Sequence, residues 1–183
     1  FEKIFEINRC FRNEGIDTTH NPEFTMLELY EAYQDYWGLM DETEEVLAAV
    51  IEQAVGGSTF PYDGETVDAA RPWKRVPLFE AIREYAGIDL EATRDRDEAA
   101  RLARGIGIEV DPTMGYGKIV DEVMKERVRP QLVQPTFLYD YPIEISPLAK
   151  RKRDNPALTE RFQLMIGRLE VGNAFSELND PID

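Results

Sequence analysis

In the stretch "FRNEGIDTTHNPEFTMLELY", Phe11 to Tyr30, an arginine, an acid, the single histidine of the chain and an aromatic ring crowd around a Gly-Ile-Asp-Thr-Thr segment. A fixed guanidinium such as Arg12 binds phosphate oxygens bidentately and neutralises charge in a phosphoryl or nucleotidyl transition state. The Phe24 ring offers a flat face on which a purine can stack. A carboxylate near the loop can accept from an exocyclic amine. Acids on a neighbouring strand can hold Mg²⁺ bridging phosphates, or a substrate ammonium. Neither a GxxxxGK[ST] loop nor a GxGxxG turn opening a helix is present. Any nucleotide site must therefore be built on an antiparallel sheet.

Those groups converge only if the chain around them alternates as strands do. The patterns from Phe1 to Arg12 and from Phe24 to Tyr33 suit strands, and Gly15 and Asn21-Pro22 mark the loop between them. Residues of like parity share a face. Glu6, Asn8, Cys10 and Arg12 then oppose Phe5, Ile7 and Phe11. On the returning strand Phe24, Met26, Glu28 and Tyr30 oppose Thr25, Leu27 and Leu29. A later strand repeats the theme with Asn173, Phe175 and Glu177. A polar sheet face is ordinarily just the wet side of a two-layer domain. This one mixes an arginine, acids, a tyrosine and flat rings, which favours a ligand floor.

The remaining elements read as support. "GLMDETEEVLAAVIEQAVGG" places Leu39, Val46, Leu47, Val50, Ile51 and Val55 at helical spacing and closes on Gly56-Gly57. A short strand is expected around Thr66-Val67-Asp68. Helices follow at Leu78 to Ala86, Asp95 to Arg104 and Lys118 to Arg129, as a small helical insertion over about 77–133. Strands return in "PTFLYDYP", "RFQLMIG" and "LEVGNAFSEL". The order predicts an α+β fold with function on the sheet.

A length of 183 residues suits one domain. No apolar run approaches the ~20 residues that span a bilayer, so no membrane role is expected. One cysteine, Cys10, excludes an internal disulfide and a Cys-rich zinc site, as fits a reducing cytoplasm. The net charge of −15 argues against a general nucleic-acid surface, leaving only the local run Lys150 to Arg153, whose plainest reading is a solvated loop. The chain starts within an expected strand, without Met, and stops in "ELNDPID", so a fragment of a longer protein is expected.

"FRNEGIDTTHNPEFTMLELYEAYQDY" closely resembles motif 2 of class II aminoacyl-tRNA synthetases, in the form found in lysyl-tRNA synthetases. "FLYDYPIEISPLAKR" and "NPALTERFQLMIGRLEVGNAFSELNDP" resemble the same family's segment leading to motif 3. The resemblance implies part of one catalytic domain with the class II antiparallel sheet and flanking helices. It implies activation of lysine by ATP to lysyl-adenylate, then transfer to tRNA(Lys), with Mg²⁺ and a homodimeric parent. Arg12 matches the arginine that bridges the α-phosphate and the lysine carboxylate. Glu14 matches the acid near the adenine amine, His20 the histidine near the terminal phosphates, and Phe24 the ring under adenine. Glu28, Tyr30, Asn173, Phe175 and Glu177 match the lysine pocket.

The sequence departs from the family at one metal position. Glu170 matches a magnesium ligand, but the partner acid is replaced by Gln163, which can ligate through its carbonyl oxygen without adding charge. Glu170 also has the wrong parity relative to Asn173, which a bulge near Gly172 would repair. Motifs 1 and 3 are absent, so little turnover is expected of this segment alone. Two alternatives stay open: the paralogue that attaches lysine to elongation factor P, and a catalytically silent synthetase-like binding domain.

Overall fold

The computed structural model describes residues 1–13, 15–17 and 20–179. Its contacts divide into two compact units, Phe1–Gln34 and Asp35–Asp183. The first unit is a hairpin of β1 (Lys3–Phe11) and β2 (Glu23–Glu31), paired antiparallel from Lys3 opposite Glu31 to Phe11 opposite Glu23. Arg12 N–H donates to the Pro22 carbonyl at 2.9 Å and carries the ladder one step into the loop. Phe5, Ile7, Phe11 and Leu27 lie exposed along one face of this ribbon.

The second unit is built on a sheet ordered β5 (Lys74–Pro77), β6 (Thr136–Pro142), β7 (Leu158–Ile166) and β8 (Leu169–Phe175). Pairing is antiparallel from β6 to β8, whereas β5 runs parallel to β6. A separate ribbon joins β3 (Thr59–Tyr62) to β4 (Glu65–Asp68). Of these short strands only β4 is expected from the sequence. Four residues, two of the segments carrying proline, are too few to display a period.

Helix α1 (Tyr36–Val55) begins where the Asp35 carboxylate accepts from Trp37 and Gly38 N–H at 2.9 and 3.1 Å. It ends on Gly56 at φ 80°, a left-handed position that glycine takes without steric cost. Its inner face, with Tyr36 and Met40, covers one side of the sheet against Trp73, Phe137, Phe162 and Leu164. Glu44 is buried on that face too. Arg71 Nε at 3.1 Å and Arg75 Nη2 at 3.3 Å satisfy its carboxylate.

The opposite side of the sheet is covered by α2 (Leu78–Ala86), α3 (Arg96–Gly105) and α4 (Tyr116–Val123). Their core is continuous with Val76, Leu138, Tyr141, Leu158 and Met165 of the strands. The helix expected at Lys118 to Arg129 changes character part-way. A π-helical turn, Met124–Val128, follows α4 and gives way to a 3-10 turn at Arg129–Gln131. Pro130 has no N–H with which to continue an α-ladder.

Two bulges decide which side chains share a face. At Asp140, which sits at φ 62°, the β6–β7 register shifts. Tyr139 therefore packs with the α1 core and Tyr141 with the α2–α4 core, although the two have the same parity. On β8 the partners step from Leu164 opposite Gly172 to Met165 opposite Glu170, leaving Val171 as the extra residue. The bulge expected near Gly172 is thus present.

Close packing also makes one helical glycine indispensable. A Cβ on Gly117 of α4 would lie 2.7 Å from Glu144 Cβ and 2.9 Å from Ile145 Cγ2. Alanine normally gains roughly 1 kcal/mol over glycine inside a helix. Here the overlap with the turn at Ile143–Ile145 reverses the sign. Gly117→Ala is expected to cost about 1–2 kcal/mol, measured as a lower urea midpoint at unchanged slope.

Candidate functional site

On the hairpin the register pairs Cys10 with Phe24, Asn8 with Met26, Glu6 with Glu28 and Ile4 with Tyr30. Directly opposed residues share a face. The polar face inferred from alternation is therefore the one the strands form. Arg12, one step past the end of β1, places its guanidinium carbon 5.2 Å from the centroid of the Phe24 ring. That is a cation–π contact. Phe24 and Glu28 are half-buried and Tyr30 is exposed. Glu28 lies roughly 13 Å beyond Phe24 at ~3.3 Å per strand residue.

In the loop, Asp17 and His20 hold each other. His20 N–H donates to Asp17 Oδ1 at 2.8 Å, and its ring Nδ1 lies 2.8 Å from Asp17 Oδ2. A carboxylate only accepts, so this contact keeps the proton on Nδ1. Glu14 lies outside the described residues.

In the second unit, Gln163 pairs with Asn173 and Arg161 with Phe175. The bulge at Val171 adds Glu170 to the same face, through its pairing with Met165. Arg161 Nε donates to Asn173 Oδ1 at 2.8 Å, and Tyr141 OH donates to Gln163 Oε1 at 2.5 Å. Burial pushes the Tyr141 hydroxyl far above its usual range, so it stays a donor. The Glu170 carboxyl is also raised, chiefly by local desolvation, against the pull of Arg161 and of a hydrogen bond with Gln163. Glu170 as a whole residue is nonetheless exposed. Asn173 and Glu177 are exposed and Phe175 is half-buried. Glu177 is held in a bridge to Ala149, and its neighbour Ser176 accepts from Tyr36 N–H at 3.1 Å.

These donors fit a magnesium ion only in the mode where phosphates supply most ligands. No group of three or more His, Cys, Asp or Glu arranged for a metal occurs among the described residues. Glu170 contributes the one carboxylate, and the Gln163 oxygen already accepts from Tyr141. The run Lys150 to Arg153 is not uniformly solvated. Arg151 and Arg153 are exposed, but the Lys152 ammonium turns inward to Asp140.

A family model described as tRNA synthetases class II (D, K and N) matches residues 1–183. The chain belongs to that family. Within the class II tRNA synthetases it is 55% identical, over its whole length, to a lysine–tRNA ligase of Pelotomaculum thermopropionicum. It is 53% identical to one of Carboxydothermus hydrogenoformans and 48% identical to one of Staphylococcus aureus, again over its whole length. The chain spans 37% of the first of these relatives, 38% of the second and 37% of the third. Among the described residues no helix is long and apolar enough to cross a membrane.

Sequence reasoning passed over Tyr141 and Arg161. Arg161 carried a usable signal, since it lies two residues before Gln163 and so shares its face. Tyr141 carried none, because its face is reversed by the bulge at Asp140.

Proposed function

We propose that this chain is part of the catalytic domain of a lysine–tRNA ligase, which activates lysine with ATP and passes the lysyl group to tRNA(Lys). The observation that carries this reading is the register of β1 with β2. It sets Arg12 beside the Phe24 ring and keeps Glu28 on the same face. An adenine entering on Phe24 exchanges a cation–π contact for a stacking contact and frees the guanidinium for the α-phosphate. There Arg12 neutralises charge as the lysine carboxylate attacks phosphorus and pyrophosphate leaves.

Around that centre His20, braced by Asp17, is assigned to the terminal phosphates and Glu14 to the adenine amine. Glu28 and Tyr30 on the hairpin, and Asn173, Phe175 and Glu177 on the second unit, are each assigned to lysine, the carboxylates suiting its ε-ammonium and the Asn173 amide its carboxylate. A pocket carboxylate rejects neutral analogues because they would leave it unpaired. Glu170, with the oxygen of Gln163 as a weaker donor, would hold the Mg²⁺ that neutralises the nucleotide phosphates. The helices over about 77–133 are an insertion within this domain. The parent works as a homodimer in the cytoplasm, where tRNA and ATP are found and Cys10 stays reduced.

The test is transfer of labelled lysine to bulk tRNA by the full-length protein with ATP and Mg²⁺. Charging is the expected result. Lysyl-adenylate formed without charging would replace this reading by the ligase that modifies elongation factor P. Absence of adenylate would leave a silent binding domain.

A further inference from the structure

Arg161 spends its donors inside the protein. Nε donates to Asn173 Oδ1 at 2.8 Å, while Nη1 donates to the Ile145 carbonyl at 2.7 Å and to Ser146 Oγ at 2.9 Å. Its guanidinium carbon lies 4.7 Å from the centroid of the buried Tyr141 ring. The side chain is thereby held on one face and along two edges. It makes no ion pair at salt-bridge distance among the described residues, and the carboxylate that feels its charge is Glu170 on the same face.

A primary carboxamide can present either its oxygen or its NH₂ to a ligand, and on an exposed strand the two orientations differ little in energy. Asn173 does not have that freedom. A guanidinium offers only donors, so only Oδ1 can face Arg161; a flip would set N–H against N–H. The Asn173 NH₂ is therefore the end turned away from Arg161. Accepting a charge-assisted hydrogen bond also polarises the amide and makes that NH₂ a stronger donor.

We propose that Arg161 is a positioning residue that fixes Asn173 as a hydrogen-bond donor toward the carboxylate of the amino-acid substrate. This rests on the assignment of Asn173 to that substrate under the function proposed above. Strand β8 and its continuation then carry polarity along their length, with a donor at Asn173 and an acceptor at Glu177. An amino acid with an ammonium tail matches that order in one direction only.

The test uses the full-length protein and lysine-dependent ATP–pyrophosphate exchange. Arg161→Gln is expected to raise the lysine KM about 10-fold, the scale of one charge-assisted hydrogen bond, with the ATP KM within about twofold of wild type. Arg161→Lys, which keeps the charge and one donor, should fall between the two. In an Asn173→Ala background Arg161→Gln should add nothing further to the lysine KM, because the group it orients is gone. Thermal melts confirm that each variant is folded. An additive double variant, parallel rises in both KM values, or an unchanged lysine KM would overturn the assignment while leaving the ligase reading intact. Absence of lysine-dependent exchange in the wild type would overturn both.

Discussion

Arg12→Ala in the full-length protein is expected to lower kcat/KM for lysine-dependent ATP–pyrophosphate exchange by on the order of 10³. The expectation follows from what the guanidinium touches and what it would have to stabilise. Arg12 has no carboxylate partner at salt-bridge distance among the described residues; its guanidinium carbon lies 5.2 Å from the centroid of the Phe24 ring. Its charge is thus uncommitted and available to an anion. In-line attack of a carboxylate on the α-phosphorus brings two anions together, and one fixed bidentate cation offsets much of that repulsion. Arg12→Lys should recover only a small part of the loss, since an ammonium cannot span two oxygens in one plane. Loss confined to KM, with kcat intact, would show that Arg12 only binds substrate. Neither substitution should shift the melting temperature appreciably, because the side chain is exposed.

The second large effect concerns stability. Lys152→Ala is expected to cost about 3 kcal/mol, out of the roughly 5–15 kcal/mol by which a domain is stable. Asp140 occupies the left-handed bulge of β6, and its carboxylate accepts from Tyr36 OH at 2.8 Å and from the Lys152 ammonium. The two side chains are only 9% and 19% exposed, so removing lysine strands a carboxylate on one neutral donor in nearly dry surroundings. Burial pulls the Lys152 ammonium down, but the hydrogen bond and charge of Asp140 outweigh it and the net shift is upward. A raised folded value means that this stabilisation is fully present below the unfolded value of roughly 10.4. It is lost only as pH rises through the folded value. Urea midpoints of Lys152→Ala should therefore fall by a similar amount across roughly pH 6 to 9. The exposed neighbour supplies the control: Arg153→Ala should change stability by no more than about 0.5 kcal/mol. Equal midpoints for the two variants would show that the buried pair contributes nothing net.

The hairpin was legible because its alternation is uninterrupted. Period-two patterning put Arg12, Phe24, Glu28 and Tyr30 on one face, and the register agrees pair by pair. The helix after it was equally plain, since Gly56-Gly57 supplies the left-handed stop that its last turn requires. Lys152 shows the limit of reading by composition. Four consecutive basic residues look solvated, but a strand-like segment sends alternate side chains in opposite directions. Lys152 consequently reaches Asp140 while its neighbours Arg151 and Arg153 face solvent.

By itself the sequence determined the family, the α+β order of elements and the faces of each uninterrupted strand. These depend on residue type and spacing within one segment, which local sterics fix. The tertiary structure alone decided the break in parity on β6, and it fixed the position of the one that Gly172 had suggested on β8. The bulge at Asp140 turns Tyr141 toward Gln163 and Arg161, and the bulge at Val171 returns Glu170 to the face of Asn173. The bulge on β6 is a mismatch between two strands whose facing residues lie some 20 positions apart in the chain, such as Tyr139 and Phe162. No local period encodes it.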